Sequence, residues 1–127
     1  MGRQIKIISN EIEVIAGIDD SETANSIWGA LPIESSVSTW GEEIYFTIPV
    51  QVEESEDARQ DMDIGELGYW PPGSALCVFF GRTPASTSDQ PRAASNVNPF
   101  GMVSGDVTPL HSIRSGESVT VSRIQDG

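Results

Sequence analysis

Few side chains in this 127-residue chain have the types and spacing that do chemistry. There is one cysteine, Cys77, and one histidine, His111. Cys77 lies inside the apolar run Ala75-Leu76-Cys77-Val78-Phe79-Phe80. No cationic neighbour in sequence lowers its pKa, so it reads as a buried structural thiol. A single thiol also excludes an internal disulfide or a thiolate metal cluster within one chain. His111 has no acid or nucleophile motif beside it and reads as structural. No serine stands in G-x-S-x-G, and Gly101 to Gly105 match no phosphate-binding loop. The six acids between Glu53 and Asp63 lack EF-hand spacing and read as a solvated loop. No metal, cofactor or catalytic residue is identified from these patterns.

What remains is a set suited to binding. Arg82 follows a predicted strand end and precedes Thr83-Pro84 and Ser86. A guanidinium at a rim beside hydroxyls can hold a carboxylate or phosphate. Tyr45, Tyr69, Trp70 and Phe80 fall in alternating segments, so part of this aromatic area points outward. The candidate ligand-binding residues are therefore Tyr45, Tyr69, Trp70, Phe80, Arg82, Thr83 and Ser86. Their groove is expected where a loop over residues 81–98 crosses the end of the strand at 75–80. The expected partner is a peptide or a small molecule.

Strands must position these groups, because period-two alternation dominates the chain. Ile5 and Ile7, then Ile12, Val14 and Ala16, predict an opening hairpin around Ser9-Asn10. A strand is expected from Ile33 to Trp40. Another follows with Ile44, Phe46, Ile48, Val50 and Val52 all facing a core, and Pro49 marking a gap in its ladder. Further strands are expected at 67–70, 75–80, 100–103 and 119–124. One helix lies between the second and third strands. Asp19 and Glu22 fit its capping pattern, Ala24, Ile27, Trp28 and Leu31 form its apolar stripe, and Pro32 stops it. Leu110 to Ile113 reads as a helical turn. About eight strands with so little helix predict a closed antiparallel barrel in one domain over 1–127.

The order of segments resembles a family. Tyr69-Trp70-Pro71-Pro72-Gly73, the strand from Ala75 to Gly81, then Thr83-Pro84 and Ser86, are similar to the signature of small prokaryotic cyclophilin-like proteins. Leu31-Pro32 with Glu34-Ser35, Trp40-Gly41, and Glu43-Ile44-Tyr45-Phe46 extend the resemblance over most of the chain. A fainter similarity to true cyclophilins runs through Thr23-Ala24-Asn25, Ile27, Gly73-Ser74, Phe100-Gly101-Met102-Val103, Gly105 and Ile113. The resemblance implies an eight-stranded antiparallel β-barrel with one or two capping helices. True cyclophilins isomerise X–Pro bonds with an arginine in an aromatic-His-Arg motif. No Phe-His-Arg occurs here, and Arg59 is the only arginine in the corresponding region. The expected function is a binding barrel, with an atypical prolyl isomerase as the alternative.

Charge narrows the partners. Nineteen acids against seven bases give a formal net charge of −12. Such a chain repels nucleic acid phosphates and anionic membrane. No apolar run approaches the ~20 residues of a membrane span, and residues 1–10 lack the apolar stretch of a secretory signal, so a cytosolic protein is expected. Lysine is nearly absent, which fits either a salty cytoplasm or compositional drift. Self-repulsion at −12 opposes compaction, and salt screens it over ~8–10 Å near physiological strength. The melting temperature should therefore rise as potassium chloride is added. A flat or falling curve up to moderate salt would remove the charge argument.

Overall fold

A computed structural model describes residues 3–124. Its opening hairpin follows from alternation. β1 (Arg3–Ser9) and β2 (Ile12–Ile18) pair antiparallel, burying Ile5, Ile7, Val14 and Ala16 on one face. Asn10 turns the chain at φ 53°, a conformation its short polar side chain tolerates.

Helix α1 (Glu22–Ala30) follows. Its cap is Ser21 rather than Asp19. The Ser21 hydroxyl accepts from the Ala24 N–H at 3.1 Å, while the Asp19 carboxylate accepts from the Ser21 N–H at 3.0 Å. Ala24, Ile27 and Leu31 are buried. Trp28 is half-buried, with the guanidinium groups of Arg3 and Arg123 at 5.3 and 4.8 Å from its ring.

The remaining strands are β3 (Ile33–Ser36), β4 (Ser38–Thr39), β5 (Glu43–Thr47), β6 (Arg59–Asp61), β7 (Glu66–Trp70), β8 (Ala75–Phe79), β9 (Arg92–Ser104) and β10 (Ser118–Ile124). They form a ten-stranded sheet in the order β3-β10-β1-β2-β9-β7-β8-β5-β4, with β6 paired to β9. The fold is mainly β, but the expected closed eight-stranded barrel needs correction. There are ten strands, and among the described residues no ladder joins the two ends of the path. The ends lie close nevertheless. The Ser35 hydroxyl donates to the Thr47 carbonyl at 2.7 Å, and only Val37 separates β3 from β4. Val37 uses both backbone groups on the turn before β10, bonding Glu117 and Gly116. That is why the expected single strand from 33 to 40 breaks there and crosses from one edge to the other.

Three further expectations are corrected. The strand expected from Ile44 to Val52 ends at Thr47, because Pro49 cannot donate to a ladder. Ile44, Phe46, Ile48 and Val50 are nonetheless buried, and Val52 is half-buried against the same core. The acidic stretch contains β6, and the expected loop over 81–98 is strand from Arg92 onward. Register shifts interrupt β9 on both flanks, so its buried Ala93, Val97, Phe100 and Val103 do not alternate. The helical turn expected at 110–113 is a 3₁₀ turn at Thr108–Ser112, and a second lies at Pro71–Gly73. No helix among the described residues is long and apolar enough to cross a membrane.

One large cluster inside the curved sheet joins residues of β1, β2, α1, β5, β7, β8, β9 and β10. Phe46 is 1% exposed at its centre. Phe46→Ala should cost ~3–5 kcal/mol of unfolding free energy in a denaturant titration. A loss under ~1 kcal/mol would mean the ring is not a core member.

Candidate functional site

The sheet is buried on its outer face as well, around β8. Leu76, Val78 and Phe80 point into the main core, whereas Ala75, Cys77 and Phe79 point outward into a second cluster with Met62, Ala93 and Val97. A strand apolar on both faces must be covered on both. The cover here is β6 and the first half of β9. Gly68 on β7 lets that cover come close, since a Cβ there would stand 2.8 Å from Val97 Cγ2.

The cover is incomplete next to β5. A cavity of about 210 Å³ remains between Trp40, Glu43, Tyr45, Trp70, Cys77, Ala93, Ala94 and Val97. Glu43 and Tyr45 share the outer side of β5 because they alternate with Ile44 and Phe46. Tyr45 pairs directly with Cys77 on β8, which brings both to the same wall. Trp70 is fixed by its indole N–H donating to the Ser95 hydroxyl at 2.7 Å.

Glu43 is the one acid in this lining, and no arginine, lysine or histidine joins it. It is 5% exposed, and its Oε1 has no hydrogen-bond partner. Burial pushes its carboxyl up to about 7, against a smaller opposing effect from the Cys77 thiol. Burial, and next the Glu43 charge, pushes the thiol well above its usual range. Cys77 is thus a buried, protonated neighbour, in keeping with a structural thiol.

The structure divides the sequence-derived candidates. Tyr45 and Trp70 line the cavity. Tyr69 lies in the inner core, its hydroxyl donating to the Val50 carbonyl at 2.7 Å and accepting from the Val52 N–H at 3.3 Å. Phe80 is also inside, edge-on to the His111 ring at 4.8 Å. Arg82 is exposed and pairs loosely with Asp89 at 3.4 Å. Thr83 and Ser86 close a turn. The Thr83 hydroxyl donates to the Arg92 carbonyl, and the Ser86 hydroxyl accepts from the Thr83 N–H at 2.9 Å. The cavity thus sits beside the middle of β8, and residues 93–97 of the expected crossing segment supply one wall. Sequence reasoning missed Glu43, Trp40 and the alanines. The signal for Glu43 was its alternation with Ile44 and Phe46, opposite a strand too apolar to have a wet face.

His111 is not alone either. Its Nε2 lies 2.6 Å from Glu42 Oε2 and its Nδ1 3.1 Å from the Thr108 carbonyl. The Glu42 hydrogen bond chiefly raises the imidazole pKa, and the same bond lowers that of Glu42.

A pH dependence of stability follows from Glu43. Its folded pKa lies above the ordinary 4.5, so between about pH 4.5 and 7 the folded state holds a proton that the unfolded state has lost. Stability from this group falls as pH rises through that window. Glu43→Gln removes the titration. The variant should gain on the order of 2–3 kcal/mol relative to wild type on going from about pH 4 to about pH 8. Denaturant unfolding at the two pH values measures this, and an unchanged difference would mean that Glu43 titrates normally.

Comparison with known proteins agrees with this architecture. The family model described as cyclophilin-like matches residues 3–122. The solution structure of the hypothetical protein AF2241 from Archaeoglobus fulgidus is similar with 37% identity and a TM-score of 0.83, over 97% of this chain and 95% of that one. A structure of McbB in complex with tryptophan shares the fold at 17% identity and a TM-score of 0.71, and this chain spans 45% of it. A search of curated proteins finds no match. With 120 consecutive residues matched, the chain belongs to the cyclophilin-like family.

Proposed function

We propose that the protein is a binding module for a small organic molecule, held in the outer-face cavity beside Glu43. The observation that carries this reading is a buried carboxyl, with Oε1 lacking a hydrogen-bond partner, in the wall of an otherwise apolar cavity. Apolar walls with one fixed polar group are the usual composition of a ligand pocket. An apolar cavity of ~150 Å³ takes a benzene-sized guest. The 210 Å³ here leaves room for one ring and a short substituent, which favours a small molecule over a peptide strand.

Prolyl isomerisation by the route of true cyclophilins needs an arginine near the prolyl nitrogen. The cavity lining has none. Arg59 is committed to Glu66, Arg92 to Asp61 and Arg82 to Asp89.

Phenol is a suitable first probe. Its binding should change the intrinsic tryptophan fluorescence, because Trp40 and Trp70 form the walls. Ala94 is exposed at the mouth, so Ala94→Trp should abolish the signal while leaving the fold intact. A proline test peptide should isomerise at its uncatalysed rate. Phenol binding unaffected by Ala94→Trp, or isomerisation at the rate of a true cyclophilin, would overturn the reading.

A further inference from the structure

The rest of the molecule offers less than this cavity. The open groove beside Arg59 is lined by charges already satisfied, since Arg59 donates twice to Glu66 and Glu66 also accepts from the Asp63 N–H. The Glu42 and His111 pair is complete in itself. The exposed apolar residues Ile64 and Met102 have nothing on them that identifies an occupant. Only Glu43 is left wanting a partner.

Resting on the proposed cavity, we infer that its natural ligand carries a cationic amine on a small apolar body, and that this ammonium pairs with Glu43. Two features of the wall select that chemistry. The first is an anion-forming group with no counter-charge. Removing a carboxylate from water without a partner is costly, and an ammonium brought by the ligand supplies both the charge and the missing donor. The second is aromatic. Trp40, Tyr45 and Trp70 surround the same space, and their ring faces attract a cation as well as packing an apolar body. An anionic ligand would meet the opposite situation, since no cation among the described lining residues receives it.

Glu43 Oε1 is buried and takes no hydrogen bond from any side chain or backbone group among the described residues. The carboxyl turns about a soft terminal torsion to meet a donor entering the cavity. The groups that face it are few. Tyr45 stands on its own strand and Cys77 on β8, while β7 and β9 present only Trp70, Ala93, Ala94 and Val97. Glu42, its neighbour in sequence, is engaged away from the cavity by His111 and by the Arg82 N–H. The Glu43 carboxyl is therefore the only titrating group in the cavity whose charge changes near neutrality, with its pKa at about 7.

The test compares phenethylamine with phenethyl alcohol, which differ in one polar group, by calorimetry on the intact protein. At about pH 8.5 the amine should bind about tenfold tighter than the alcohol, the gain of one charge-assisted contact. Between about pH 8.5 and 5.5 the amine should weaken about eightfold, to nearly the affinity of the alcohol, as Glu43 takes up its proton, while the alcohol stays constant. Glu43→Gln should make the two probes equal and pH-independent. Equal affinities in the unaltered protein, or an amine affinity flat with pH, would overturn the amine assignment and leave the cavity reading standing. Failure of both probes to bind would overturn the cavity reading and the amine with it. The two-probe comparison decides even if the variant does not fold.

Discussion

The structure depends on β8 having no side that can face water. Its five residues are all buried, and successive side chains enter two different apolar clusters. An ordinary antiparallel strand buries one face and wets the other. Once β8 is apolar on both, the sheet needs a second layer outside it. The chain supplies that layer from the segments with the least apolar character, β6 and the start of β9. Met62, just after β6, and Ala93 and Val97 of β9 are buried over β8. So thin a cover leaves a gap beside β5, and the gap is the cavity.

Two buried carboxyls sit in this outer layer, and they are handled differently. Glu66 accepts from both terminal nitrogens of Arg59 and from the Asp63 N–H. That pair ties β6 to β7, and its geometry repays much of the desolvation of the two charges. Glu43 receives nothing comparable. A fold that needed only stability would place an apolar residue there, because burial of an unpaired carboxyl is a net cost whichever protonation state it takes. A local cost of this kind, in the wall of an apolar cavity, is where a binding function is most economically located.

The parts of the fold legible in the sequence are those where one local pattern decides. The opening hairpin, the inward set from Ile44 to Val50, the apolar string of β8 and the helix stripe all follow from periodicity alone. The stretches that misled were those where tertiary pairing overrides composition. β6 is three residues of Arg-Gln-Asp, held as strand by β9 rather than by any propensity of its own. β9 is interrupted by register shifts, so its polar beginning resembles a loop. The site suffered in the same way. Tyr45 and Trp70 were visible as aromatics in strands, but Tyr69 looked equivalent to Trp70 and lies on the opposite face. Arg82, Thr83 and Ser86 were chosen for their chemistry, and in the structure the two hydroxyls close their own turn while the Arg82 guanidinium pairs loosely with Asp89 at the surface. Glu43 was not among the candidates, because a glutamate's burial is decided by the strands packed around it and not by its neighbours in sequence.

Glu42 and Glu43 show how completely position governs the chemistry of one side-chain type. Glu42 is partly exposed, and its carboxylate meets the His111 Nε2 and the Arg82 N–H. Both imidazole nitrogens face acceptors, since Nδ1 lies against the Thr108 carbonyl. The ring satisfies both only when it carries two protons, so the hydrogen-bond geometry itself favours the imidazolium. The stability this pair contributes is present below the ordinary histidine pKa and fades as pH rises through the raised folded value. On the Glu42 side it is present above the ordinary carboxylate pKa and fades as pH falls through the lowered one. Exposure keeps the pair's worth small. One residue further on, the strand's alternation turns Glu43 through the sheet to the outer face, into a cavity whose lining holds no cation. The first carboxyl is held ionised by a partner that the fold provides. The second is pushed toward its neutral form by burial, and no cation lines the cavity beside it, which is the vantage from which a ligand's charge would be recognised.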